Sequence, residues 1–303
     1  FGRPISKYGA IRYKLAEAAI RIYSGESANY RATQNIDDAI AALKAGGMQH
    51  GEATLKGIAD FAPECAMIKV LASEVLDYTV DEAVQVFGGM GYSAETRAEL
   101  AYRDARINRI FEGTNEINRM LTVDMLLKKA MKGELDLTTP AMAIVNELTG
   151  IPEMTAPASD VFEAHLGFVR NLKKAILMVA GAAAQKLMMT LGKEQEILMN
   201  IADMTIWAYT VESTVLRVQK LAQMRGGEEA VAIQKAIMRV YTYEASEWIQ
   251  SAGKEALLGF AEGDELKMML MGMRRFCKTE DFNTKEARQA IAQHLIAKGS
   301  YDL

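Results

Sequence analysis

The sequence has 303 residues, of which half are hydrophobic and 24% are charged, with a net charge of -4. This composition is typical of a globular chain with one large or two ordinary domains, and it lacks the positive charge with which proteins bind nucleic acid. Two cysteines and three scattered histidines provide neither a disulfide framework nor a set of metal ligands. Few prolines and aromatic residues, with abundant Ala, Leu, Met, Glu and Lys, predict an all-α fold.

The first part of the chain is predicted to form helices joined by glycine-containing turns. A turn and a long helix are expected over residues 1–36, followed by helices over 37–45, 53–61, 63–87 and 94–106. The next helix begins near Thr114, with Thr114 or Asn115 as its N-cap, and Gly133 ends it. Within that helix Ile117 and Leu121 are expected to face the core, as is Leu126.

The range 133–158 is predicted to be a linker, because three of the five prolines fall in it. We therefore divide the chain into a helical domain over 1–132, the linker, and a second helical bundle over 159–303. In the second bundle apolar residues recur at steps of three and four over 162–187 and 197–222, which predicts helices that cross at small angles. The sequence contains no run of 18 apolar residues, so no transmembrane segment is predicted. Residues 159–303 contain no set of residues that indicates a catalytic site.

The stretch from Gln85 to Arg119 concentrates the features that point to chemistry. Two glycine-containing turns, Gly88-Gly89-Met90-Gly91 and Glu112-Gly113-Thr114, are separated by a charged helical segment. Glycine permits positive φ and lets a ligand approach the backbone closely. Glu112 lies directly before a helix, whose N-terminus favours a carboxylate in its anionic form. Taken alone, a glutamate in this position is most often an ordinary helix-terminal side chain.

Three pieces of this stretch, Q-x-x-G-G-x-G-Y, R-D-A-R-I and I-F-E-G-T-N-E-I, have a specific order and spacing. Together they resemble the C-terminal flavin- and substrate-binding signature of the acyl-CoA dehydrogenases. The opening F-G-R-P-I-S-K-Y-G-A-I-R-Y-K-L-A-E is also similar to that family, and the later part resembles the extra helical domain of its very-long-chain type. Leu100 departs from the pattern, which has a basic residue four positions before Asp104.

The resemblance implies an enzyme that removes an α-proton and a β-hydride from a fatty acyl-CoA. It implies that Glu112 is the catalytic base, and that its backbone N–H and a flavin hydroxyl hold the thioester oxygen. It places the substrate beside Phe111 and Gly113. It also implies that FAD is bound by seven residues: Phe1, Ile11, Gln85, Gly88, Gly89, Thr114 and Glu116.

The resemblance further implies an electron-transferring flavoprotein as electron acceptor. It also implies a homodimer, because the second bundle would cover the surface through which smaller relatives pack into tetramers. A soluble or peripheral enzyme of the bacterial cytoplasm or of the mitochondrial matrix fits equally well. The N-terminal helical domain and the middle β-domain of the family would precede this sequence, so we expect the chain alone to be inactive.

Two alternative functions remain open. An acyl-CoA oxidase of the same fold would pass its electrons to oxygen and form peroxide. A non-catalytic helical scaffold or assembly protein would retain the fold and have no need for a base at Glu112.

Overall fold

Helices account for all regular secondary structure in the residues that the computed structural model describes, 2–150 and 158–303. The predicted all-α fold is confirmed. Within these residues the α-helices are α1 Gly9–Ala45, α2 His50–Asp60, α3 Ala62–Phe87, α4 Gly89–Tyr92, α5 Arg97–Arg106, α6 Asn115–Met131, α7 Thr138–Thr149, α8 Val161–Leu187, α9 Gln195–Arg225, α10 Ala232–Phe260, α11 Gly263–Phe276 and α12 Thr284–Lys298.

Several helix ends follow from local sequence. The Thr114 hydroxyl accepts a hydrogen bond from the N–H of Ile117 at 3.3 Å, as an N-cap residue does. Gly133 has φ +74 two residues after the end of α6, and Gly226 has φ +88 directly after α9. Glycine adopts such left-handed angles without steric cost, so both positions end a helix. The predictions for Thr114 and Gly133 are confirmed.

Two regions differ from the sequence-based expectation. Helix α1 continues without a break across residues 36 and 37, and Gln34 donates to Asp38 at 2.8 Å on its exposed side. Helix α7 lies inside the range predicted as a linker, and its Ile144 is buried in the core. Pro140 is compatible with this helix because it lies in the first turn, where a missing N–H costs nothing. Residues 151–157 of the predicted linker lie outside the described residues.

The inward face of α6 is polar. Ile117 and Leu121 are 45% and 42% exposed, so their predicted burial is wrong. The buried residues of this helix are Asn115, Asn118, Thr122 and Val123. Apolar periodicity identifies the face that packs in a hydrophobic core. It therefore misplaced Ile117 and Leu121, whereas Leu126, on the side of Asn115 and Thr122, is partly buried as predicted. The polar side chains buried on this helix are needed for hydrogen bonding.

Helices from both predicted domains share one hydrophobic core. Ile20 and Tyr23 of α1 are fully buried in the same cluster as Val211, Val215 and Ile237 of the second bundle. Helix α9 lies at the centre, where it packs against α1, α6, α8 and α10. The second bundle is consequently a structural partner of the first helices, and the division into domains stays a prediction.

The segment Val161–Lys193 has the length and composition of a membrane-spanning helix, with 28% of its most apolar window buried. Leu172, Ala175, Val179 and Ala183 of this segment are completely buried beside residues of α9 and α11. Core helices of bundles have the same properties, so this finding leaves the prediction of no transmembrane segment in place.

A buried ionic cluster joins α1, α10 and α12. The Arg288 guanidinium donates to Glu17 at 2.5 Å and also binds Glu244, and Arg21 lies 3.6 Å from the second Glu17 oxygen. Glu17 is completely buried, and the second carboxylate oxygen of Glu244 has no hydrogen-bond partner among the described residues. Burial, followed by the charge of Glu17, raises the pKa of Glu244 to about 7.

This pKa makes folding stability depend on pH. The folded chain binds the Glu244 proton more tightly than the unfolded chain does. The contribution of this proton to the free energy of unfolding is therefore present at acid pH and is lost as the pH rises through 7. We expect Glu244→Gln to raise the free energy of unfolding at pH 8 by about 2 kcal/mol. Urea unfolding between pH 5 and 8 measures this.

The matched control is Glu265→Gln, since Glu265 is 52% exposed in its ion pair with Lys186. It should leave the pH dependence unchanged. An equally steep pH dependence in wild type and Glu244→Gln would contradict the assignment.

Candidate active site

The turn before α6 has an unusual backbone. It follows the short 3-10 helix Ile107–Arg109, and Glu112 and Gly113 have φ +55 and +80. A left-handed conformation costs a non-glycine residue about 1 kcal/mol, so Glu112 is held in it by its surroundings. At Gly113 a Cβ would lie 3.0 Å from the Asn118 side-chain nitrogen. Glycine therefore suits this position both for its φ and for the space that Asn118 occupies.

Asn118 holds the turn from within α6. Its side-chain Nδ2 lies 2.9 Å from the Gly113 carbonyl oxygen, 3.1 Å from that of Thr114 and 3.4 Å from that of Glu112. Asn118 is buried, so these bonds compete little with water. One amide group thus orients three successive carbonyls around Glu112.

Lys69 of α3 holds the same turn from the other side. Its Nζ donates to the Gly113 carbonyl at 2.6 Å and to Asn115 Oδ1 at 2.9 Å. The Asn115 Nδ2 in turn donates to Ser73 at 2.9 Å and to Glu74 at 3.1 Å. The first turn of α6 is consequently fixed to α3 by a continuous hydrogen-bond network.

Arg119 connects this network to the second bundle. Its Nη1 and Nη2 lie 2.8 and 3.0 Å from the two Glu74 oxygens, and its Nε donates to Asp203 of α9 at 2.7 Å. The Arg119 and Asp203 side chains are only 14% and 22% exposed. Burial raises the pKa of Asp203, although Arg119 opposes this shift. Helix α6 is therefore clamped between α3 and α9.

Five of the predicted site residues come together at this turn: Phe111, Glu112, Gly113, Thr114 and Glu116. Phe111, Glu112 and Glu116 are exposed, so their side chains are accessible to a ligand. Hydrogen bonds from the Glu116 backbone N–H and from the Thr114 hydroxyl lower the pKa of Glu116. The turn thus presents two carboxylates and an aromatic ring on an immobilised backbone.

The other predicted residues form a second patch. Helices α1 and α3 run antiparallel, because Lys14 pairs with Glu82 while Arg21 lies 4.1 Å from the Tyr78 ring. This register places Ile11 beside the last turn of α3, where Gln85, Gly88 and Gly89 are exposed. Phe1 lies outside the described residues.

The two patches are separate. Gly88 has φ +64 and ψ -144, and no atom lies within 4 Å of a Cβ added there. Its backbone therefore faces open space, as close approach by a ligand requires. Lys69 and Gln85 are 16 residues apart on α3, or about 24 Å at 1.5 Å per residue. A ligand that contacts both patches on one chain would have to be extended.

Sequence reasoning missed Lys69, Ser73 and Asn118. The available signal was weak: Lys69 follows buried Met67 and precedes buried Val70, which is an unusual neighbourhood for a charged side chain. Its partner in the turn lies 44 positions further along the chain. Only the packing of α3 against α6 brings the two together.

Two family models match this chain, and both are described as "Acyl-CoA dehydrogenase, C-terminal domain". One matches residues 1–127 and the other residues 171–275. The first includes the Glu112 turn and both patches, and the second covers most of α8–α11.

Three individual proteins are similar to this chain. A probable acyl-CoA dehydrogenase of Bacillus subtilis is 40% identical over 303 residues, which cover 99% of this chain and 50% of that protein. The very long-chain specific acyl-CoA dehydrogenase of rat mitochondria is 33% identical over 57% of this chain and 23% of its own length. A crystal structure of an acyl-CoA dehydrogenase complexed with FAD, from Bacillus anthracis, matches with a TM-score of 0.94 and 40% identity, covering all of this chain and 51% of that one. The chain thus spans about half the length of its two Bacillus relatives.

Proposed function

This chain belongs to the acyl-CoA dehydrogenase family, and from that premise we propose that it is the C-terminal part of an FAD-dependent acyl-CoA dehydrogenase. The reaction introduces an α,β double bond into a fatty acyl-CoA: the α-carbon loses a proton and the β-carbon loses a hydride. The observation that supports the proposal is the turn at Glu112. The side chain of Glu112 is exposed and its backbone φ is +55, and Lys69 and Asn118 fix the turn by binding the carbonyl of Gly113.

In this proposal Glu112 is the base. Its carboxylate takes the α-proton, and the electrons of that C–H bond form the new double bond as the hydride leaves. An acyl chain lying against Phe111 would remove water from the carboxylate and make it a stronger base. The Glu112 backbone N–H would donate to the thioester oxygen, where negative charge develops. The thioester would lie beside Gly113.

The residues of both patches fit FAD. The open backbone at Gly88 and Gly89, with Gln85 and Ile11 beside it, suits close approach by the dinucleotide portion. Thr114 and Glu116 would contact the flavin at the Glu112 turn, and the distance between the two patches suits an extended cofactor. When bound, FAD supplies the acceptor for the hydride.

Two wider properties belong to the proposal. The electron acceptor is an electron-transferring flavoprotein, and the enzyme works in the bacterial cytoplasm or the mitochondrial matrix.

The strained backbone at Glu112 favours an enzyme over a scaffold, since a scaffold has no use for such strain. An oxidase shares the same base and would differ in forming peroxide.

The test uses the full-length protein that carries this sequence, loaded with FAD. Palmitoyl-CoA added without oxygen should bleach the flavin absorbance, and readmission of oxygen should form little peroxide. Folded, FAD-containing protein that no acyl-CoA of short, medium or long chain bleaches would overturn the proposed function. Rapid stoichiometric peroxide formation would replace the dehydrogenase with an oxidase.

We also propose a homodimer. Helix α9 packs along α1 and α6, and Arg31 and Lys173 both bind Glu212 of α9, at 2.9 and 2.6 Å. This packing covers a face of the first helices that would otherwise be free for another copy. Light scattering of the full-length protein should give twice the chain mass, and a tetramer mass would contradict the proposal.

A further inference from the structure

The Lys69 ammonium is a half-buried charge whose hydrogen-bond partners are both neutral. Its Nζ binds the Gly113 carbonyl at 2.6 Å and the Asn115 side-chain oxygen at 2.9 Å. Among the described residues no carboxylate forms an ion pair with it. The direct partners of this ammonium are therefore two neutral oxygens, and its charge also helps to lower the pKa of the Glu116 carboxyl from a greater distance.

These bonds act on the peptide groups next to Glu112. Hydrogen bonds from an ionised donor are roughly twice as strong as neutral ones, so Lys69 strongly fixes the direction of the Gly113 carbonyl. Asn118 binds the same oxygen at 2.9 Å from the opposite element. Because Lys69 on α3 and Asn118 on α6 both bind this carbonyl, its direction is fixed. Glu112, the residue before it, therefore keeps its left-handed conformation.

Asn115 keeps the ammonium in place. Its Oδ1 accepts from Lys69, while its Nδ2 is bound to Ser73 and Glu74, one turn further along α3. Asn115 is buried, so its amide has a single satisfied orientation. The lysine is thereby aimed at the turn.

We propose that Lys69 is a positioning residue for Glu112. It acts through the Gly113 carbonyl, without touching the substrate, and holds the carboxylate where the α-proton of a bound acyl-CoA can be reached. This inference rests on the proposed function of the Glu112 turn. It names a residue outside the signature stretch, on a different helix, as part of what makes the base effective.

The experiment compares Lys69→Met and Lys69→Arg in full-length, FAD-loaded protein. Methionine keeps the unbranched stem and removes the ammonium, whereas arginine keeps a cation with several donors. Lys128→Met is the matched control, because Lys128 is 65% exposed on α6 in an ordinary surface ion pair with Asp124. Stopped-flow absorbance gives the rate of flavin reduction by saturating palmitoyl-CoA. Titration gives the acyl-CoA dissociation constant, and hydrogen exchange reports on the amides of residues 110–116.

For Lys69→Met we expect a reduction rate lower by about 100-fold, as displacement of a reacting group by about 1 Å produces. The dissociation constant and the FAD content should stay within about threefold of wild type, since Lys69 touches neither ligand. Amide exchange at the turn should accelerate. Lys69→Arg should recover at least a tenth of the wild-type rate, and Lys128→Met should equal wild type. If Lys69→Met does not fold, Lys69→Gln, which retains a neutral amide donor group, should show the same separation of rate from binding.

Several outcomes would overturn this role. If palmitoyl-CoA reduces the flavin of wild type and of Lys69→Met at the same rate, Lys69 is not a positioning residue, and the proposed function stands. A slow variant that has also lost FAD makes Lys69 a purely structural residue. Wild-type flavin that stays oxidised with every acyl-CoA overturns the proposed function, and the catalytic role of Lys69 with it, whatever hydrogen exchange reports at the turn.

Discussion

Glu112→Gln is expected to lower the rate of flavin reduction by palmitoyl-CoA at least about 1000-fold, within the range that removal of a general base produces. The substitution keeps the size of the side chain and removes its ability to take a proton. FAD content should not change, because the turn is held through backbone carbonyls by Lys69 and Asn118. Stopped-flow absorbance of the full-length protein measures the rate.

Glu95→Gln provides the matched control for this prediction. Glu95 is exposed between α4 and α5, and the same chemical change there should leave the rate within about twofold. If Glu112→Gln reduced its flavin as fast as wild type, the base would have to lie elsewhere and the central residue assignment would be wrong. Loss of activity together with loss of FAD would point to a damaged fold.

Arg119→Met is expected to lower the free energy of unfolding by about 3 kcal/mol, since removing one partner leaves the Asp203 charge buried without compensation. Arg119 is 14% exposed and forms the bond between α6 and α9, at 2.7 Å from Asp203. Its loss also frees the two Glu74 oxygens from the network that orients Asn115. Urea unfolding of the full-length protein, followed by circular dichroism, measures the change.

A second variant isolates the buried charge. In Arg119→Met/Asp203→Leu both members are apolar, so about half of the lost stability should return. Arg103→Met is the surface control, since Arg103 is 80% exposed and 3.8 Å from Glu99, a geometry that contributes almost nothing. If the double variant were less stable than Arg119→Met alone, the buried Asp203 charge would not be the cause.

This clamp gives the second bundle a connection to the proposed active site. Asp203 binds Arg119, Arg119 binds Glu74, and Glu74 accepts from Asn115 at the start of α6. Each step is a hydrogen bond between partly buried groups. The bundle therefore supports the helix that follows Glu112, in addition to covering the first helices.

Features that depend on neighbouring residues were predictable from the sequence. The helical class follows from composition, the N-cap at Thr114 from its hydroxyl, and the helix ends at Gly133 and Gly226 from the freedom of glycine at positive φ. The signature pieces around Glu112 identify the family because their residue types and spacing are encoded directly in the chain. Short-range rules and motif order need no knowledge of packing.

The tertiary structure alone decided how the turn is held. Lys69 is 44 residues from Gly113, and Arg119 is 84 residues from Asp203, so neither pair has a local signal. The buried face of α6 is polar, and hydrophobic periodicity cannot detect a face that is buried for hydrogen bonding. The sequence by itself thus determined the helical class, several helix ends, the family and the expected base. Packing of α3, α6 and α9 decided which distant side chains surround that base, because such contacts exist only once the helices have met.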